Sequence, residues 1–238
     1  MSSSVHNDRP VMVITGASSG IGAATARAMA DAGYRLVLAA RSEDRLKDLQ
    51  QELGGDQHVI TVACDVQQVA DQQAMAGEAI KAFGRIDAVF ANAGRGGEPG
   101  GFSGADPEIW KDMILTNILG VGITLQVCLP ELRKSRGHVV ITGSAAGRAT
   151  IPGSMYSATK WAVSAIGYGV REELRGSGIR VTLIEPGMVD TPFFDESPDN
   201  ALRPDDIAEA VRYALAQPAH VDVNELLIRP TPKTQEAG

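Results

Sequence analysis

A chain of 238 residues, 44% of them hydrophobic, can bury the core of one large α/β domain or two small ones. Its formal charge of −7 argues against non-specific nucleic-acid binding and against docking on anionic membrane surfaces. Two widely separated cysteines, Cys64 and Cys128, and four histidines in no ligand spacing argue against a disulfide framework or a zinc motif, and no metal is expected.

The first residues lack the basic and then apolar order of a signal peptide, and residues 1–9 read as a flexible arm. No run of about 20 apolar residues stands out as a membrane span, and a cytoplasmic location is the expectation. From Pro10 onward, short β-rich runs alternate with longer helical ones. Val11–Thr15 is a compact apolar strand, and Gly20 to Ala32 is an Ala-rich helix stopped by Gly33. Arg35–Ala39 is the second strand, followed by a helix from Ser42 to Leu53. His58–Ala63 is the third strand, followed by a helix from Val69 to Phe83. Ile86–Phe90 is the fourth strand, and a Gly-rich loop over 94–104 follows it. One long helix is expected from Pro107 to Leu132, then a strand at Gly137–Thr142 and a helix from Ser154 to Arg175. Arg180–Ile184, an irregular stretch over 191–203, a helix from Pro204 and a last strand at Val223–Ile228 complete the domain. Residues 232–238 read as a flexible tail.

Strict alternation predicts parallel pairing with right-handed crossovers. The fold class is therefore α/β: a doubly wound, Rossmann-type, mostly parallel seven-stranded sheet with helices on both faces. One domain spans residues 10–231, with no linker or repeat to mark a second.

The first strand runs into Thr15-Gly-Ala-Ser-Ser-Gly-Ile-Gly22. Glycines at 16, 20 and 22 permit a tight turn, and the next helix aims its N-terminal N–H groups at whatever sits there, as a phosphate cradle requires. A merely tight strand-to-helix turn is the alternative. Ala23-Ala24 in place of Lys-Ser or Lys-Thr exclude a P-loop. After the second strand the chain reads Ala39-Ala40-Arg41-Ser42, with no acid to bind a ribose 2′-hydroxyl. Arg41 can instead pair with a 2′-phosphate, which favours NADP(H) over NAD(H), unless it merely opens a surface helix. Tyr156 and Lys160 share a helix face, and the ammonium is expected to lower the phenol's pKa into a range useful for proton transfer.

In this order, with Asp65, Asn92-Ala-Gly94, Asn117, Ser144 and Pro186-Gly187 leading to Thr191, the chain resembles the short-chain dehydrogenase/reductase family in its compact single-domain branch. The resemblance covers about residues 10–230. It implies that Gly16, Ser18, Ser19, Gly20 and Ile21 line the phosphate and adenosine-ribose site. Arg41 then takes the 2′-phosphate, Asp65 and Val66 meet the adenine, and Asn92, Ala93 and Gly94 flank the adenosine side. Pro186, Gly187, Val189 and Thr191 hold the nicotinamide carboxamide, and Tyr156 and Lys160 also touch the cofactor. Ser144, Tyr156 and Lys160 form the catalytic set, with Asn117 holding a water for proton relay.

The implied activity is hydride transfer between NADP(H) and a small-molecule carbonyl or secondary alcohol, by ketone or aldehyde reduction or by hydroxy-acid oxidation. Reduction of 3-oxoacyl thioesters and a non-catalytic NADP-binding sensor or scaffold are the alternatives. Arg95, Met188, Phe193 and Phe194 are the candidate substrate contacts, and the short 191–203 connection leads to the expectation of an open pocket. Small residues, among them Gly120, Gly122, Ala162, Ala165, Gly167 and Gly169, are expected on the outer faces of the two long helices, where the family pairs into homodimers and homotetramers.

Overall fold

In the computed structural model, which describes residues 9–96, 100–194 and 196–232, a single seven-stranded sheet carries the chain. The strands are β1 (Val11–Thr15), β2 (Arg35–Ala40), β3 (Val59–Ala63), β4 (Ala88–Ala91), β5 (His138–Thr142), β6 (Arg180–Pro186) and β7 (Glu225–Ile228). Their order is β3-β2-β1-β4-β5-β6-β7, and every pairing is parallel. The expected arm and tail lie outside the described residues, apart from Arg9 and Pro232.

The helices are α1 (Gly20–Asp31), α2 (Glu43–Glu52), α3 (Val69–Phe83), a short α4 (Gly101–Gly104), α5 (Pro107–Ile114), α6 (Gly120–Ser135), α7 (Met155–Glu173) and α8 (Pro204–Leu215). Because side chains alternate along a strand, β1 feeds both layers. Val11 and Val13 pack with residues of α3, α6 and α7, including Met75, Leu125 and Val163. Met12 and Ile14 pack with α1, α2 and α8 through Met29, Leu46 and Val211. The central strands are buried on both faces, which explains why β1 and β2 read as unbroken apolar runs rather than alternating ones.

The expected long helix is correct in extent but not α-helical throughout. Asp106 caps its start by accepting from the Glu108 N–H at 2.9 Å. Between α5 and α6, Leu115–Leu119 winds as a π-helical turn with Asn117 at its centre. Such a bulge adds one residue to the helix without ending it, and bulges of this kind recur at functional sites. The absence of a membrane-length segment also needs correcting. Pro107–Ser135 contains a window of mean hydropathy 1.7, enough by length and composition to cross a membrane. Its inner face, Val121, Leu125, Cys128 and Leu132, lies in the core.

The small residues of the long helices divide between two roles. Gly122 and Gly169 face open space. Gly120 and Gly167 face inward, where an added Cβ would lie 2.9 Å from Val66 and 2.8 Å from Leu183.

Candidate active site

The chain winds outward from β1 through β2 to β3, then returns to place β4 on the other side of β1. Loops leaving β1 and β4 therefore diverge and open a crevice at the carboxyl ends of the strands, where open α/β sheets bind ligands. A groove of about 880 Å³ lies there. Every cofactor residue expected from the sequence lines it, as do Ser144, Met188, Phe193 and Phe194. Asn117 and Arg95 do not.

The Gly-rich turn is shaped by close contacts. Gly16 and Gly20 have positive φ values of 66° and 52°, accessible to glycine at little cost. A Cβ on Gly22 would stand 2.3 Å from the Gly16 carbonyl oxygen. Ser19, extended at the N-cap of α1, makes no side-chain cap hydrogen bond, so its hydroxyl does not occupy the helix terminus. Thr15 and Asn92 lock the turn to the sheet. Thr15 Oγ1 accepts from the N–H groups of Asn92 (3.0 Å) and Ala93 (3.1 Å). Asn92 Nδ2 donates to the Thr15 carbonyl at 3.1 Å, and its Oδ1 accepts from Thr142 Oγ1 at 3.0 Å. The Asn92 side chain thus ties together the ends of β1, β4 and β5.

At the far end of the groove Arg41 is exposed beside Ser42 and Arg45, and the Arg45 guanidinium donates to Ser42 Oγ at 3.2 Å. Sequence reasoning missed Arg45, although it lies one helical turn past Arg41. Asp65 lines the groove while Oδ1 accepts from the Gln67 N–H at 3.0 Å, so the carboxylate also caps the turn into α3.

At the other end Ser144 opens a 3₁₀ turn (Ala145–Gly147), its Oγ accepting from the Ala146 N–H at 3.0 Å. Ser154 caps α7 through the Ser157 N–H and so sets the helix phase that brings Tyr156 to Ser144. The Ser144 hydroxyl neighbours the Tyr156 phenol and favours its ionised form. Lys160, 5% exposed, donates from Nζ to the Thr142 carbonyl at 2.9 Å and lies 5.7 Å from the centre of the Tyr156 ring.

The electrostatics differ from the sequence expectation. Burial pushes the Tyr156 phenol above its ordinary value, and only the neighbouring Ser144 hydroxyl works in the opposite direction. Burial also pulls Lys160 down, to about 8. The lysine is thus anchored under Tyr156 on a backbone carbonyl, and the phenol keeps its proton at neutral pH. Two other groups drop out of proton chemistry. Cys64, at the groove wall, is pushed up to about 12 by burial, and His138, deep in the sheet against Thr182, is pulled down to about 3.

Asn117 is buried behind the groove, and its amide makes three hydrogen bonds. Nδ2 donates to the Arg95 carbonyl and to Thr159 Oγ1, both at 3.0 Å, and Oδ1 accepts from the Arg95 N–H at 2.8 Å. The side chain clamps the loop after β4. The Arg95 side chain turns away into an ion pair with Asp112.

The loop after β6 reaches the catalytic end of the groove. Phe193 stands edge-on to Tyr156 with ring centres 5.6 Å apart and to Phe194 at 5.3 Å. It also presses on Gly96, where a Cβ would meet the ring at 2.9 Å. One side of the phenol thus packs against an apolar side chain from the loop after β6.

A hydroxyl, a phenol and an ammonium at one end of a Gly-rich cradle on a doubly wound sheet define a dinucleotide-dependent oxidoreductase. The family model described as short chain dehydrogenase matches residues 10–201, and the chain belongs to the short-chain dehydrogenase/reductase family. It is 41% identical to an uncharacterized oxidoreductase of Staphylococcus haemolyticus over 225 residues, 92% of this chain and 96% of the relative. Its fold matches an alcohol dehydrogenase from the archaeon Thermococcus sibiricus, complexed with 5-hydroxy-NADP, with a TM-score of 0.87 and 36% identity over 96% of this chain and 100% of that one. It also matches serine dehydrogenase from Escherichia coli, with a TM-score of 0.84 and 32% identity over 92% and 96%.

Proposed function

We propose that the protein is an NADP(H)-dependent oxidoreductase that interconverts small carbonyl compounds and secondary alcohols. The observation that carries this reading is that Ser144, Tyr156 and Lys160 line one end of the same groove as the Gly16–Gly20 cradle, with Lys160 fixed on the Thr142 carbonyl beside the phenol. The bound dinucleotide supplies or accepts the hydride. Tyr156 gives its proton to the carbonyl oxygen as negative charge grows there, and Ser144 stabilises the same oxygen by a hydrogen bond. In the oxidative direction Tyr156 takes the alcohol proton. Lys160 keeps positive charge beneath the phenol as it ionises.

The groove suits the phosphorylated dinucleotide. Glycine backbone at the α1 N-terminus fits a pyrophosphate, and two exposed guanidinium groups, Arg41 and Arg45, with no acid at the end of β2, fit a 2′-phosphate. The NADP analogue on the archaeal neighbour supports the same choice. Ile151, Met188, Phe193 and Phe194 make the substrate wall largely apolar, which favours uncharged ketones and aldehydes. The serine dehydrogenase neighbour adds hydroxy acids to the compounds worth testing. Exposed Leu119 on the π turn and Trp161 and Tyr168 on α7 support a homotetramer or homodimer; a soluble, cytoplasmic enzyme fits the reading.

The test is a panel of ethyl acetoacetate, acetophenone, butanedione, L-serine and 3-hydroxybutyrate, followed by NADP(H) absorbance. Turnover of at least one member is expected. No turnover together with no NADPH binding would overturn the reading.

A further inference from the structure

Three segments carry the proposed chemistry: the Ser144 turn, the face of α7 with Tyr156 and Lys160, and the Pro186–Gly187 exit from β6. One buried carboxylate touches all three. Glu185 is 1% exposed and immediately precedes Pro186. Both its oxygens accept from Arg148 Nε at 2.8 Å, and Arg148 leaves the 3₁₀ turn that Ser144 opens. Ser164, one helical turn beyond Lys160, places Oγ 3.2 Å from Glu185 Oε1 and 3.2 Å from the Lys160 carbonyl, so its one proton is shared between them. Gly143, next to Ser144, packs on the same side chain, since a Cβ there would lie 2.9 Å from Glu185 Cγ. Arg148 also pairs with Glu225 at the start of β7 and lies 5.5 Å from the centre of the Tyr168 ring.

A charge pair withdrawn from water is a poor way to gain stability, because desolvation offsets the attraction. What the pair does supply is a fixed position for Arg148, whose Nε–H is shared by both Glu185 oxygens while a terminal nitrogen pairs with Glu225. Arg148 also lines the groove, and neither residue has a proton-transfer role in the reaction above. We propose that Glu185 and Arg148 form a positioning pair for hydride transfer. The pair sets the separation between the Pro186–Gly187 shelf, where the nicotinamide end of the dinucleotide rests, and the Ser144–Tyr156 pair that meets the carbonyl oxygen. This rests on the function proposed above. Hydride transfer is sensitive to such spacing, and a misplacement of about 1 Å can cost up to about 100-fold in rate.

The test compares wild type, Glu185→Gln, Arg148→Met and Arg148→Lys, each assayed well below its own melting temperature. NADPH affinity is read by fluorescence, kcat and KM with the fastest-reduced member of the panel, and the primary isotope effect with NADPH deuterated at the transferred position. Glu185→Gln and Arg148→Met should bind NADPH within about threefold of wild type while kcat falls about 10- to 100-fold and KM changes little. The isotope effect should rise as hydride transfer becomes the slow step. Arg148→Lys keeps the charge but loses the planar group that meets Glu185 and Glu225 through different nitrogens, and it should recover part of kcat. It also serves if removing either partner prevents folding. Folded variants with kcat within about twofold of wild type, or with an unchanged isotope effect, would overturn the proposal. A wild type that binds no NADPH and reduces nothing would instead overturn the reading on which it rests.

Discussion

In the proposed reaction Tyr156 is the proton donor, and the pH behaviour of its neighbours follows from burial. Tyr156→Phe removes the transferable proton but keeps the ring on Phe193, so turnover should fall by at least about 100-fold while NADPH affinity stays near wild type. Because the phenol is held above its ordinary pKa, reduction should be well supported at neutral pH, and oxidation should climb as the medium becomes alkaline. A flat oxidative pH–rate profile would contradict that assignment. Lys160 makes a separate prediction for stability. Below about pH 8 the lysine is protonated both folded and unfolded, and the full cost of burying its charge is present. Between about 8 and its ordinary value of 10.5 the folded chain releases the proton first, so stability rises with pH. Lys160→Met should therefore lose ground to wild type from pH 7 to pH 10.5, by about 3 kcal/mol at most, measured by urea unfolding at each pH. The four-residue spacing of Tyr156 and Lys160 was readable in the sequence. The direction of the tyrosine shift was not, because it depends on side chains such as Phe193 that arrive from another loop.

Two elements hold the groove in shape, and each can be broken by one substitution. Gly22→Ala would force the α1 N-terminus away from the Gly16 carbonyl oxygen, 2.3 Å from the new Cβ. It should cost about 1–3 kcal/mol, several degrees of melting temperature, and weaken NADPH binding. An unchanged melting curve would mean that the turn tolerates more than this packing allows. Asn117→Ala would leave the Arg95 backbone and Thr159 without their partner, at a cost of about 1–3 kcal/mol. It should also lower kcat, because the loop beside Lys160 loses its clamp. Full activity after this change would show that the clamp is dispensable. The Gly-rich turn was legible because strand, glycines and helix are contiguous in sequence. The π turn was not, since one extra residue barely disturbs the apolar period of residues 107–132. The partners of Asn117 lie 22 and 42 residues away, as the partners of Glu185 and Arg148 also come from distant segments.

At the scale of the molecule, the alternation of strands and helices was enough to specify the doubly wound sheet, because parallel neighbours need crossovers and crossovers of this kind are right-handed. The crevice at the β1/β4 switch point follows from that order. What lies at its two ends does not, and there the charge pattern matters. Arg41→Asp should shift preference from NADPH toward NADH, measured as the ratio of kcat/KM for the two; an unchanged ratio would remove Arg41 from the 2′-phosphate site. The exposed Leu119, Trp161 and Tyr168 lead to the expectation of a tetramer or dimer in light scattering after size exclusion, and a single 25.1 kDa species would contradict it. The central claim is that this groove transfers hydride with Tyr156 as the proton donor. Its most direct test is NADPH oxidation by wild type and Tyr156→Phe across the carbonyl panel. The expected result is turnover by wild type with at least one carbonyl compound, and NADPH binding without turnover by the variant. Equal turnover by the two proteins would contradict the account.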